Sequence, residues 1–284
     1  MATVGFIGLG RMGGAMAGHL AAAGHRVLGV DTSPEARAAA ESDGVEVVDS
    51  TAELAVPVVM SSLPGDAEAE EVYLRGLFER LKPGALCIDL STIDVDLSRR
   101  IAAVAGEAGH RFLDCPVSGT SVHARSGTLA VMIGGDPAAL EEARPYLETF
   151  ASSVHHMGAN GAGLEMKLIT NRLLNVHVVA IAEAILAMED AGLDTKACLE
   201  LLRQGAVPRL LDYKAGPMAE RDHSPLFTVA LMAKDLGLAD ARRPPGPVSA
   251  AGAEILRLAR DRGWSESDIS AVIEVLESGV VPPL

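Results

Sequence analysis

Residues able to do chemistry gather at a few places along this chain. The first is GFIGLGRMGGAMAGHL, where Gly8, Gly10 and Gly13 are spaced G-x-G-x-x-G. The spacing alone decides little in a chain with 29 glycines. Its setting decides more. Thr3 to Ile7 is a short run rich in β-branched residues, and Gly14 to Ala23 is rich in Ala and good helix formers, so the motif lies between a strand and a helix. There Gly8 makes the turn, Gly10 lets backbone approach a pyrophosphate, and Gly13 lets helix pack on strand. Leu9, Arg11 and Met12 complete the turn, and the free N–H groups at the helix start face the anion. A second apolar run, Arg26 to Val30, ends in Asp31, 18 residues after Gly13. A carboxylate there accepts from both ribose hydroxyls of an adenosine and repels a 2′-phosphate, which predicts NAD over NADP. Arg37, just downstream, is the one residue that could favour NADP instead.

The second place is KLITN, which sets Lys167 and Asn171 one turn apart on one helix face. A lysine among apolar residues is ordinarily a snorkelling side chain. Position gives this one more weight, because its helix starts where the nucleotide-binding half ends and its first turns are expected beside the nicotinamide. Three loops after strand candidates also stand out: SSLPGD, DLST and DCPVSGTSVHARSGT. His155 and His156 are adjacent, so on extended backbone they point apart, and neither carboxylate nor cysteine stands at ligand spacing; no metal site is expected.

These groups need a frame. TVGFI, HRVLGV, VPVVMSSL, ALCIDL, HRFLDCPV and TLAVMIGG alternate with helical stretches, which predicts a doubly wound, mainly parallel α/β sheet over residues 1–161 with ligand loops at the strands' carboxyl ends. Residues 163–191 then read as one helix, about 43 Å long, capped at Gly192. Asp194 is the expected N-cap of the next helix, DTKACLELLRQG, which should stop at Gly205. The rest is helical with Pro-rich loops at HSPLF and RRPPGPVS, so residues 162–284 should form the long helix plus an all-helical domain.

Composition narrows the partners. The 284 residues are 49% hydrophobic and 22% charged, enough for two cores, and only 3% aromatic, so Ala, Val, Leu and Ile must fill them. A formal charge of −14 argues against nucleic acid or an anionic membrane, and an anionic substrate must be caught by local positive charge. The chain enters the glycine motif without a basic leader, and the apolar stretch Val176 to Met188 is broken by His177 and Glu183, so neither signal peptide nor membrane span is expected. Cys87, Cys115 and Cys198 form no C-x-x-C pair, which suits the cytoplasm.

Taken in order, GFIGLGRMGGAMAGHL, DCPVSGTSVHARSGTLAVMIGG, GANGAGLEMKLITN and KDLGLA resemble the β-hydroxyacid dehydrogenase family over nearly the whole chain. The resemblance implies a Rossmann-type domain, an interdomain helix, a helical second domain and a homodimer or homotetramer. It puts the catalytic lysine on Lys167 and its partner on Asn171. The carboxylate clamp falls on Ser118, Gly119 and Thr120, and Leu63, Pro64, Thr92 and Lys234 fall on the cofactor. The implied activity is hydride transfer between NAD and a small 3-hydroxy acid. The family's SGG is SGT here and its N-N is Thr170-Asn171, so Thr120 and nearby His123 either tune selectivity or face solvent. An imine reductase on the same fold is an alternative against which Lys167 counts. A silent dinucleotide-binding sensor is another, disfavoured by Lys167 and the acidic charge.

Overall fold

The computed structural model describes residues 1–204, 208–242 and 244–279. Its strands are β1 (Thr3–Ile7), β2 (Arg26–Val30), β3 (Glu46–Val47), β4 (Val58–Ser61), β5 (Leu86–Asp89), β6 (Arg111–Asp114), β7 (Val117–Ser118), β8 (Leu129–Gly134) and β9 (Ala151–Gly158). The helices between them are α1 (Gly13–Ala22), α2 (Pro34–Ser42), α3 (Asp66–Val72), α4 (Val95–Glu107), α5 (Ser121–Arg125) and α6 (Pro137–Leu147). After these come α7 (Ala162–Asp190), α8 (Thr195–Arg203), α9 (Pro208–Glu220), α10 (Val229–Arg242), α11 (Pro247–Ala259) and α12 (Val272–Glu277).

The sheet runs β3-β2-β1-β4-β5-β6-β8-β7, with β9 on β8. Neighbours from β3 to β6 pair in parallel, and β8 runs antiparallel to β6 and β7. The strand order reverses at β1 and β4, and there the loops after β1, β4 and β5 come together. The six expected strands are present, but HRFLDCPV is interrupted at Cys115 and Pro116 into β6 and β7, because proline carries no N–H for a ladder. Beyond those expected are β3, only two residues long, and β9, whose Ser152, His155 and His156 are exposed and mask any apolar run.

Helix starts follow local chemistry. Ser33, Asp94, Asp136 and Asp194 each accept an amide N–H of the first turn, and Pro34 and Pro137 occupy first helical positions. Gly192, at φ +67, ends α7 as expected. Gly205, the expected stop of α8, lies outside the described residues, as does Arg243 of RRPPGPVS.

Two compact units result, Met1–Lys167 and Leu168–Leu284, with α7 running from one into the other. In the first, Val4, Phe6, Met16, Leu20, Met60, Leu86 and Ile88 are buried between sheet and helices. In the second, Val178, Ile185, Met232, Leu236, Ile255 and Ile273 form a helical core. Aliphatic side chains dominate both, which the low aromatic content requires. Among the described residues no helix is long and apolar enough to cross a membrane.

Candidate active site

The glycine turn links β1 to α1. Gly8 has φ +89, and a Cβ there would lie 2.3 Å from the Ser62 carbonyl oxygen; a Cβ on Gly13 would lie 1.9 Å from the Gly8 carbonyl oxygen. Turn geometry and packing therefore demand glycine at both positions. Gly10 differs, since beyond its chain neighbours no described residue comes within 4 Å of where its Cβ would be. Packing leaves that position free, and a side chain there would fill the space over the turn that precedes α1. No side chain caps the start of α1 and its first turn holds no acidic residue, so its N–H groups suit an outside anion. These residues fit a dinucleotide pyrophosphate.

Asp31 closes the cradle. Its Oδ2 accepts the Leu9 N–H at 2.6 Å and its Oδ1 the Ser33 N–H at 2.7 Å. The carboxylate thus grips the glycine turn and keeps lone pairs for ribose hydroxyls. Arg37 is paired with Asp49 at 2.7 Å.

On the far side of β1, Leu63 and Pro64 follow β4 and Thr92 follows β5, and the Leu63 N–H donates to Ser91 Oγ at 2.8 Å. Ser118 ends β7, and Gly119 leads into α5. Here Thr120 and His123 meet each other. His123 Nδ1 accepts the Thr120 N–H at 3.1 Å and lies 3.0 Å from its hydroxyl, a reciprocal cap on α5. The accepting Nδ1 sets the proton on Nε2 when the ring is neutral. At the other end of α5, His19 of α1 holds the Ala124 and Arg125 carbonyls at 3.0 and 3.1 Å.

Asp114 is the last residue of β6. It is fully buried and accepts the Gly161 N–H at 2.7 Å and the Leu164 N–H at 3.1 Å, so it anchors the start of α7. Burial pushes its carboxyl up to about 6, against the opposing pull of those N–H donors. Half-buried Lys167 follows one turn later and is the last residue of the first unit.

In the second unit Asn171 is buried, and its Nδ2 donates to Asp235 Oδ2 at 2.5 Å. The same carboxylate holds Lys234 Nζ at 3.0 Å. Asp235, beside the lysine of KDLGLA, is a residue the sequence reading passed over; only an acidic neighbour of that lysine hinted at it. His156 Nε2 hydrogen-bonds to the Gly135 carbonyl, and among the described residues no three His, Cys, Asp or Glu side chains gather as metal ligands.

Known proteins similar to this chain share one family and fold. The family model for the NAD binding domain of 6-phosphogluconate dehydrogenase matches residues 3–158, and that for the NAD-binding region of NADP-dependent 3-hydroxyisobutyrate dehydrogenase matches residues 161–276. The chain is 36% identical to an NAD-dependent L-serine dehydrogenase of Pseudomonas aeruginosa, covering 98% of each. It is 38% identical to a probable 3-hydroxyisobutyrate dehydrogenase of Mycobacterium tuberculosis, covering 98% of this chain and 99% of that one. Among solved structures, 3-hydroxyisobutyrate dehydrogenase of M. tuberculosis with L-serine is similar at TM-score 0.86 and 37% identity, over 97% of this chain and 99% of that one. An imine reductase from a Pseudomonas species, at 19% identity and TM-score 0.65, shares the fold.

Proposed function

This chain belongs to the β-hydroxyacid dehydrogenase family and is an NAD(P)-binding dehydrogenase of β-hydroxy acids; from that premise we propose that it moves a hydride between NAD and a small anionic 3-hydroxy acid. The observation that supports the reading most is the pair Lys167 and Asn171 on one face of α7, with the Asn171 amide held by Asp235.

NAD, when bound, supplies the hydride acceptor. The adenosine ribose is held by Asp31 and the pyrophosphate by the Gly8–Gly13 turn, with Leu9, Arg11 and Met12 contributing backbone. The pairing of Arg37 with Asp49 favours NAD over NADP. Leu63, Pro64, Thr92 and Lys234 line the cofactor further on. Ser118, with the amide of Gly119 and with Thr120 beside it, binds the carboxylate and orients the hydroxyl-bearing carbon. Thr120 and His123 shape that clamp through their shared cap. Lys167 Nζ takes the alcohol proton in oxidation and returns it in reduction, and Asn171 orients the same oxygen. 3-Hydroxyisobutyrate, glycerate and L-serine are the acids of choice, the last because a relative at 37% identity was solved with it. The family resemblance supports a homodimer or homotetramer. Buried Cys87 and Cys115, whose thiols burial pushes up, are inert and suit the cytoplasm.

The test is cofactor reduction by the purified protein across hydroxy acids of different length, each with NAD and NADP, alongside Lys167→Met. Turnover with a 3-hydroxy acid and NAD is expected, falling by roughly 10²–10⁴-fold in the variant while NAD still binds. A fully active Lys167→Met protein would sink the proton-transfer role, and silence across the panel would sink the substrate class.

A further inference from the structure

Strands β4 and β5 end on Ser61 and Asp89, which face each other in register and are fully buried. Asp89 Oδ1 accepts the Ser61 hydroxyl at 2.7 Å, the Ser91 hydroxyl at 2.6 Å and the Ser91 N–H at 3.2 Å. An ionised carboxylate has only acceptors, so both hydroxyl protons point at Asp89 and each serine oxygen is left to accept from elsewhere. The Ser61 oxygen takes the Tyr73 phenol at 2.6 Å, and the Ser91 oxygen takes the Leu63 N–H at 2.8 Å. Both serine protons thus run toward the one buried carboxylate.

Its outer end is fixed. Tyr73 is fully buried with Phe112 edge-on to its ring, centroids 5.4 Å apart. Burial, and then the Asp89 charge, hold its phenol above its ordinary value, so it stays a donor. Its inner end is the loop after β4. That loop is tied to the loop after β5 a second time, where Asp66 Oδ1 accepts the Asp94 N–H at 2.8 Å. It also abuts the glycine turn, since the Ser62 N–H donates to the Ile7 carbonyl at 2.9 Å. Asp31 follows β2, on one side of β1; β4 and β5 lie on the other. A dinucleotide with its pyrophosphate on the glycine turn and its adenosine on Asp31 must send its second ribose and ring toward β4 and β5.

We infer that Asp89 is a positioning residue for the nicotinamide half of the cofactor. Through Ser91 and Ser61 it fixes the two loops that carry Leu63, Pro64 and Thr92, and so sets where the ring lies. The inference rests on the dinucleotide reading above and adds to it a buried relay behind the two loops. The relay serves one half of the cofactor and leaves the other to Asp31.

Calorimetric titration with NADH and with ADP-ribose, which lacks the nicotinamide, tests it on the wild type, Ser91→Ala, Asp89→Ala and Asp89→Asn. Ser91→Ala removes one hydroxyl and spares the fold. With it and with Asp89→Ala, NADH affinity should fall about three- to tenfold, the worth of a lost hydrogen bond, while ADP-ribose affinity stays within about twofold. Asp89→Asn keeps an acceptor oxygen and should restore part of the NADH affinity. Equal losses for both ligands would show a merely structural role and overturn the inference, as would no loss for either. A wild type that binds neither ligand would overturn the dinucleotide reading itself and the inference with it.

Discussion

At the scale of single residues, Asp235 governs Asn171. A carboxylate offers only acceptors, so the amide must turn its NH₂ toward Asp235 and its carbonyl oxygen away. Asp235→Ala frees the amide to rotate and removes one partner of Lys234. We expect kcat/KM for the hydroxy acid to fall about ten- to a hundredfold in steady-state assays, the range for a lost hydrogen bond to a charged group. A change smaller than about twofold would remove Asp235 from this role. Lys167 and Asn171 were legible in sequence because four residues on a helix make one turn. Asp235 was not, since its partner lies 64 residues away. A separation of 28 residues likewise hid the meeting of Ser61 with Asp89, whereas Thr120 and His123, only three residues apart, left their mutual cap within reach of a helix-start rule.

At the scale of elements, α7 depends on how it begins. Asp114 carries a folded-state value of about 6, above the ordinary carboxylate value, so the folded state binds its proton more tightly than the unfolded state does. Its contribution is therefore fully present below about pH 4 and is lost as pH rises through about 6. Asp114→Asn cannot titrate. Urea midpoints at several pH values should show the wild type losing about 2–3 kcal/mol relative to Asp114→Asn between pH 4 and 6, with a constant offset above. A gap that does not change over that range would contradict the buried, titrating carboxylate. Elements with buried faces or local caps were readable in advance: the strands of the parallel core, Gly192 at the end of α7 and Asp194 at the start of α8. The two-residue β3 and the polar edge strand β9 were not, because ladder hydrogen bonds from neighbours hold them more than their own composition does.

At the scale of the whole molecule, a chain with few aromatics must fill two interiors with small aliphatic side chains, and the second unit also spends a charge pair in its core. Lys214, 1% exposed, donates to Asp268 Oδ1 at 2.6 Å. Asp268 Oδ2 meanwhile accepts the Leu226 and Phe227 N–H groups, fixing the segment that leads into α10. Burial draws the lysine below its ordinary value. Burial alone would raise the carboxyl, but Lys214 and the N–H donors outweigh it and hold Asp268 low. Lys214→Met leaves a buried charge without its counterpart and should cost about 3–5 kcal/mol in urea unfolding. A cost under about 1 kcal/mol would mean the pair is not closed in solution. Composition had marked the chain as two-cored and acidic, but no spacing rule could pair Lys214 with Asp268.

The contact of His19 with the end of α5 ties two tasks into one mechanical part. The helix that follows the glycine turn grips the carbonyls of the short helix whose cap adjoins Ser118. Strain placed on either is felt by the other, and thermodynamic reciprocity makes the traffic two-way. On the proposed reading, a cofactor that stiffens α1 would ready the loop at Ser118, and an acid that settles there would tighten the cofactor by the same factor, so a single imidazole would couple the two affinities.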